Sequence, residues 1–334
     1  MSSSGNPEDT NGFMRLTDIL RIAMISREME VRMRIRSRRR WVYFLFLVLW
    51  GIRPLTLAQD FAKVQVETVK VTDNIYMLIG TGGNIGVFAG ENGILLVDSQ
   101  FSQLFEKIKA AITKISEAPV RFLVNTNWHY DHVSGNEPLG KSGAVIIAHE
   151  NTRKRMTAEQ TFPEFNSKQP PSPAAALPVV TFTDSLTLHL NGEDIQLLHV
   201  EKAHSDADIL IFFGRANVIH TGDLYFSGGY PFIDVSHGGS TDGLIAAADK
   251  ILKMIDANTK VIPGHGPLSD RAGVEEFKNM LVTVRDRVAK LIKEGKTIDE
   301  VLASKPTADF DKVRGQGLPP EMFIKIVYDE LSKR

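Results

Sequence analysis

From residue 63 onward, apolar and polar positions alternate or cluster in short runs, a pattern that predicts a strand-rich chain. Residues 63–71, 75–80 and 85–89 read as strands. Gly90-Glu91-Asn92-Gly93 reads as a hairpin turn into a further strand over 94–97. Helical spacing covers 103–115, a mostly apolar strand 120–124, another strand 144–148, and a polar helix starts at Glu150. Periodicity is lost over 158–179, where Pro163, Pro170, Pro171, Pro173 and Pro178 collect. That stretch reads as a long surface loop, either a lid over a functional site or an insertion without a role.

The second half repeats the arrangement. Strands are expected over 186–190, 195–200, 209–213 and 218–219, with Asn191-Gly192 as a turn, and a short strand at 261–262. Helices are expected over 242–255, 273–294 and 321–332, the last opened by Pro319 and Pro320. Hairpins followed by helices, twice over, predict two strand-rich halves packed face to face with helices outside. Residues 59–334 read as one domain.

Residues 1–58 are different in kind. They carry ten Arg, no Lys and five acids, a net of +5, and leave the rest of the chain at −6 within a total of −1. After an arginine-dense run at 32–40 come twelve uncharged residues, 41–52, and then Leu55-Thr56-Leu57-Ala58. A basic head, a short apolar stretch and a small residue describe a secretory signal peptide cleaved after Ala58, with Met33 as a start that gives a conventional head. Such a leader implies a periplasmic or secreted protein. If it is not cleaved it is a membrane anchor. The mildly acidic body argues against nucleic acid as a partner. Nothing in the sequence sets the oligomeric state.

The chain has no cysteine, so any metal must be held by nitrogen and oxygen donors. His129, Asp131 and His132 stand in NTNWHYDH (125–132), directly after an apolar strand. His204 stands in KAHSDAD (202–208), Asp223 in HTGD (220–223) and His265 in PGHGP (263–267), each at a strand-to-loop junction. Such junctions can gather side chains at one edge of a sandwich, and imidazole with carboxylate suits zinc, with iron or manganese left open.

The motifs NxHxDH, AHSDAD, HTGD and PGHGP, in that order over about residues 65–266, resemble the signature of the metallo-β-lactamase fold superfamily. The resemblance implies an α/β fold, an αββα sandwich with two metals at the sheet edge. His129 and His204 would hold the first metal, Asp131, His132 and His265 the second, and Asp223 would bridge them. Asn127 stands where the family motif HxHxDH has its first His; as a weak neutral ligand it should make the first site weaker than usual. Asn at that position resembles mono-zinc β-lactamases, whereas the bridging Asp223 resembles glyoxalase II and lactonases.

The activity so implied is that of a secreted zinc-dependent hydrolase. Its small-molecule substrate would be a carbonyl compound (β-lactam-like cyclic amide, lactone, ester or thioester), attacked by a metal-held hydroxide, with Asp131 and Asp223 catalytic. Trp128, Tyr130, Tyr225 and Tyr230 are candidate pocket residues, and no Lys or Arg is placed to bind a substrate carboxylate. Two alternatives stay open: a non-catalytic metal- or partner-binding relic, and a diiron oxidoreductase, although no flavin domain or acidic ligand pattern is visible. His189 and His199 read as ordinary strand residues, His149 as a helix start and His220 as a neighbour of the ligands.

Overall fold

A computed structural model describes residues 60–315 and 317–333, so the leader expectation lies outside the described residues. Strands β1 (Glu67–Lys70), β2 (Ile75–Ile79), β3 (Ile85–Gly90), β4 (Gly93–Val97), β5 (Val120–Val124) and β6 (Val145–His149) build most of one sheet. A short hairpin, β7 (Gln160–Phe162) and β8 (Ser167–Gln169), stands apart, and β9 (Val180–Phe182) completes the first sheet in the order β1-β2-β3-β4-β5-β6-β9. The second sheet runs in sequence order through β10 (Ser185–Leu190), β11 (Glu193–His199), β12 (Ile209–Phe213), β13 (Val218–His220) and β14 (Lys260–Ile262).

The layers follow from the alternation of side chains along each strand. Inward residues Met77, Phe88, Leu95 and Val124 meet Ile195, Leu197, Ile211 and Phe213 in one buried cluster, with the Phe88 and Phe213 rings 5.5 Å apart. On the outer face of the first sheet, Leu78, Val87, Leu96 and Leu123 pack on Leu104 and on Ile108 and Ile112 of the helix Phe105–Ile115. On the outer face of the second, Leu210, Ile219 and Val261 pack on the helices Thr241–Met254, Arg271–Lys293 and Pro320–Leu331. Helix, sheet, sheet, helix is the αββα sandwich expected. No helix among the described residues is long and apolar enough to cross a membrane.

Topology then decides where loops collect. β4, β5 and β6 are parallel, so their C-terminal ends share an edge. In the second sheet β11 and β13 are each antiparallel to β12, and β13 is parallel to β14, so the ends of β11, β13 and β14 also share one. Asn84 fastens the two edges together: its N–H donates to Gly264 O at 2.7 Å and its side chain to Pro263 O and Gly266 O.

Two expectations need correction. Of residues 63–71 only Glu67–Lys70 pairs as a strand. Residues 158–179 hold the β7–β8 hairpin, which the prolines concealed; its strands have three residues each, too short for any periodicity. Phe162 stacked on Trp128 at 5.4 Å anchors it through tertiary packing.

Candidate metal centre

After β5 the chain crosses the edge in extended form, with His129 at φ −65°, ψ 149°, before the short helix Tyr130–Val133. Alternation in that stretch sends Asn127 and His129 to one side and Trp128 to the other, into the core. The helical turn then brings Asp131 and His132 back to the same space. His204 arrives from the loop after β11, Asp223 from the turn after β13 and His265 from the loop after β14.

These six side chains form two triads, His129–His204–Asp223 and Asp131–His132–His265, each with its donor atoms within 4.8 Å of one another. Asp223 lies between them. Its Oδ2 is 3.1 Å from His132 Nε2 and 3.4 Å from His204 Nε2, and its Oδ1 is 3.4 Å from His265 Nε2. His265 Nε2 also lies 3.2 Å from Asp131 Oδ2.

Each buried imidazole is turned by a carboxylate. His132 donates through Nδ1 to Asp98 at 2.8 Å, His204 through Nδ1 to Asp208 at 3.0 Å, and His129 through Nε2 to Asp234 at 2.9 Å. The remaining ring nitrogen of each therefore faces the triads as a lone-pair donor. His132 Nε2, His204 Nε2 and Asp223 Oδ1 are buried without a hydrogen bond despite their close neighbours. Buried polar atoms are rarely left so, and three of them converging on one space is the arrangement a divalent cation satisfies.

Charge tells the same story. Burial opposes ionisation of Asp223, but His132, His204 and His265 around it hold its carboxyl well below the usual carboxylate range. Burial alone would lower His204, yet Asp208 and Asp223 raise it to about 9. Such protons must leave when a metal binds.

Glycines give the ligands room. A Cβ at Gly83 would stand 2.3 Å from the His132 ring, and one at Gly264 would stand 2.2 Å from Asp223 Oδ1. Asp98, just past β4, sits at φ +64°, a left-handed conformation uncommon outside glycine. Two hydrogen bonds from Thr126 and the one from His132 hold its carboxylate there.

Asn127 departs from the expected ligand role. Its amide oxygen accepts the His129 N–H at 2.8 Å, and its amino group lies 3.3 Å from Asp223 Oδ2 as a donor. Trp128 and Tyr225, expected in the pocket, are not part of its lining. Trp128 is fully buried behind His129, and the Tyr225 hydroxyl bonds Ser269 while its ring packs on Phe277. Tyr130 and Tyr230 do line the cavity that opens onto the triads, a space of about 790 Å³.

Asp98, Asp208 and Asp234 were not singled out from sequence. Asp208 lies inside the KAHSDAD motif, and Asp98 follows an apolar strand as the ligands do, which is a signal the sequence carries. Asp234 is 105 residues from His129 and had none. His237 Nδ1 holds the other side of Asp234 at 2.8 Å. His220 bonds Asn84 O and the Gly222 N–H, ordering the turn that carries Asp223. His149 caps the helix Glu150–Met156, as expected of a helix start.

An αββα sandwich with paired His/Asp triads at one edge defines a class of metal-binding hydrolase-like proteins. The family model for the metallo-beta-lactamase superfamily matches residues 78–265, and the chain belongs to that superfamily. Over 260 residues it is 21% identical to a type 2 metallo-beta-lactamase of Bacteroides fragilis, covering 71% of this chain and 95% of that one. It is 26% identical over 252 residues to a linear primary-alkylsulfatase of Pseudomonas sp. (strain ATCC 19151), covering 63% of this chain and 47% of the other.

Among solved structures, a metallo-beta-lactamase from Pontibacter korlensis aligns with TM-score 0.54 and 18% identity, over 65% of this chain and 99% of that one. An inverting sec-alkylsulfatase from Pseudomonas sp. aligns with TM-score 0.60 and 15% identity, over 79% and 50% respectively. The chain spans about half the length of the alkylsulfatases and nearly all of the β-lactamases.

Proposed function

We propose that this protein is a zinc-dependent hydrolase of a carbonyl substrate, exported by the leader that residues 33–58 describe. The observation that supports it is the convergence of unpartnered His132 Nε2, His204 Nε2 and Asp223 Oδ1 between two ligand triads. His129, His204 and Asp223 would hold one metal, and Asp131, His132, His265 and the other oxygen of Asp223 the second. Nitrogen and oxygen donors of this kind fit zinc. When bound, such a pair supplies a water of near-neutral pKa and a Lewis acid for the substrate oxygen.

The protein's own part is to fix and to orient. Burial opposes ionisation of Asp131, but His132 and His265 beside it keep its carboxyl well below the usual range, so it stays an acceptor at neutral pH. It reaches the cavity floor partly exposed, where it can orient an attacking water as well as bind metal. Asp98, Asp208 and Asp234 hold the imidazoles in one tautomer each. Phe162, Phe226, Tyr230 and Phe232 wall the cavity above them.

The test is metal analysis of purified protein together with hydrolysis of a chromogenic β-lactam, a lactone, an ester and a thioester. Two zinc equivalents and chelator-sensitive turnover of one of them are expected. Metal-bound protein that turns over none of them would make it a binder, and bound iron with redox activity would make it an oxidoreductase. For export, N-terminal sequencing of the periplasmic protein should begin at Gln59; retention of residues 41–52 would mean an anchor.

A further inference from the structure

The triads form the floor of the cavity, and its walls have a chemistry of their own. One wall is the β7–β8 hairpin, with Phe162, Phe165, Ser167 and Gln169 on the cavity side. Lys168 alternates to the other face and pairs with Glu159 at 2.6 Å, so the hairpin's one cation points away. The facing wall is the loop after Asp223, with Phe226, Tyr230 and Phe232. Phe165 meets Phe232 at 4.9 Å across the mouth, and Glu164 accepts the Ser236 hydroxyl at 3.2 Å, tying the hairpin tip to that loop. Phe101 and Leu318 extend the apolar surface.

Among the described residues, no Lys or Arg lines this space. Arg314 lies behind the wall, its guanidinium donating to Phe226 O and Gly229 O while it rests over the Phe277 ring. Arg155 is spent on Asp206 at 2.6 Å. A substrate carboxylate, sulfate or other second charge entering this cavity would be stripped of water against phenyl rings with no side-chain cation to pair it. An apolar group would gain from every methylene it buries.

We infer that the site takes uncharged oxoesters, open-chain or lactone, that carry an alkyl or aryl group, and that Phe165 and Phe232 at the mouth select that group. This rests on the hydrolase reading above and narrows it: β-lactams and thioesters that carry a second, remote negative charge fall outside.

The test uses the metal-loaded protein and p-nitrophenyl esters from butanoate to decanoate, beside a chromogenic cephalosporin that carries a carboxylate. kcat/KM should rise roughly fourfold per added methylene until the cavity is filled, and octanoate should exceed the cephalosporin at least about tenfold. Phe165→Ser, at an exposed tip where the fold does not depend on it, should flatten that rise while metal content stays at the wild-type value. A flat or falling series, or preference for the cephalosporin, overturns the inference and leaves a metallohydrolase standing. If nothing is turned over, the hydrolase reading fails, and binding decides the inference separately. Neutral N-phenyl-1-naphthylamine should bind wild type at least about tenfold more tightly than its sulfonated analogue, a preference lost in Phe165→Ser. Equal or reversed affinity overturns it.

Discussion

The two triads share Asp223 but are built differently. His129 and His204 are buried, and each has its own carboxylate behind it, Asp234 and Asp208. In the other triad His132 is buried and clamped by Asp98, whereas Asp131 and His265 have side chains 27% and 29% exposed to the cavity. His265 is steered by the Phe226 ring, stacked at 5.0 Å, and among the described residues no carboxylate clamps it from behind as Asp98 clamps His132. Donor count runs the opposite way. Because Asn127 turns its oxygen to the His129 N–H, the first triad offers two imidazoles and one shared carboxylate. The second offers two imidazoles, Asp131 and the other oxygen of Asp223. A fourth donor with a second negative charge outweighs partial exposure for a divalent cation, so the second triad should be the tighter site. Rigidity belongs to one half and charge to the other.

Asp223 is the point at which the two halves can be broken together. Partners behind metal ligands are by themselves worth 10–100-fold in affinity or activity, so loss of a carboxylate shared by both triads should exceed about 100-fold in turnover. Asp223→Ala should lose both metals by elemental analysis and hydrolysis with them. Retention of both metals and full turnover would end the dinuclear hydrolase reading. Asp131→Ala, by contrast, should empty the second triad and leave a metal in the first. His189→Ala serves as control, since His189 is exposed on β10, away from both triads, and pairs with Asp194.

The clamping carboxylates sharpen the comparison one triad at a time. Asp234→Asn and Asp208→Asn should each weaken the first metal by about 10–100-fold, and Asp98→Asn the second by a similar factor. Competitive titration with a zinc indicator separates the two equivalents. Equal weakening of both by any one of these variants would show that the triads do not bind independently.

Asn127→His tests donor count directly. An imidazole nitrogen in place of an amide engaged with the His129 N–H should tighten the weaker equivalent about tenfold, turning one tight and one weak site into two tight ones. Unchanged stoichiometry and affinity would mean position 127 points away from the metals whatever its side chain.

What the chain made legible follows from distance along it. His129, Asp131 and His132 are neighbours in sequence just past an apolar run, and His204, Asp223 and His265 each repeat that context, so strand ends and donor types were enough to assemble them. The layers were legible for the same reason: alternating runs such as 195–200 must bury one face. Asp234 could not be found this way, because only folding brings it to His129. Trp128 misleads because it adjoins His129, while extended backbone places neighbours on opposite sides; Tyr225 misleads because its loop borders the cavity, while its own ring turns onto Phe277 and its hydroxyl onto Ser269. The hairpin at 160–169 was hidden because its pairing depends on Phe162 finding Trp128.

A smaller effect outside both triads checks that acid lability is not all metal loss. His149 lies at the end of β6, stacked on His199 at 3.7 Å, with its Nδ1 accepting the Asn151 N–H. Burial, and then His199, lowers its pKa from the ordinary value of 6.5. The folded state therefore holds fewer protons than the unfolded one just below that value. The contribution is present above pH 6.5 and is lost as pH falls from there through the lowered folded value. The ring is buried, and the Thr183 carbonyl to which its Nε2 donates offsets part of the shift, which keeps the contribution to about 1 kcal/mol or less. His149→Gln should lose less stability than wild type between pH 8 and pH 5.5, a difference of about 2 °C in Tm for a chain of this size. Metal content measured alongside should fall equally in both proteins. A wild type no more acid-sensitive than His149→Gln would show that the stacked pair carries no linked proton and that acid acts through the triads alone.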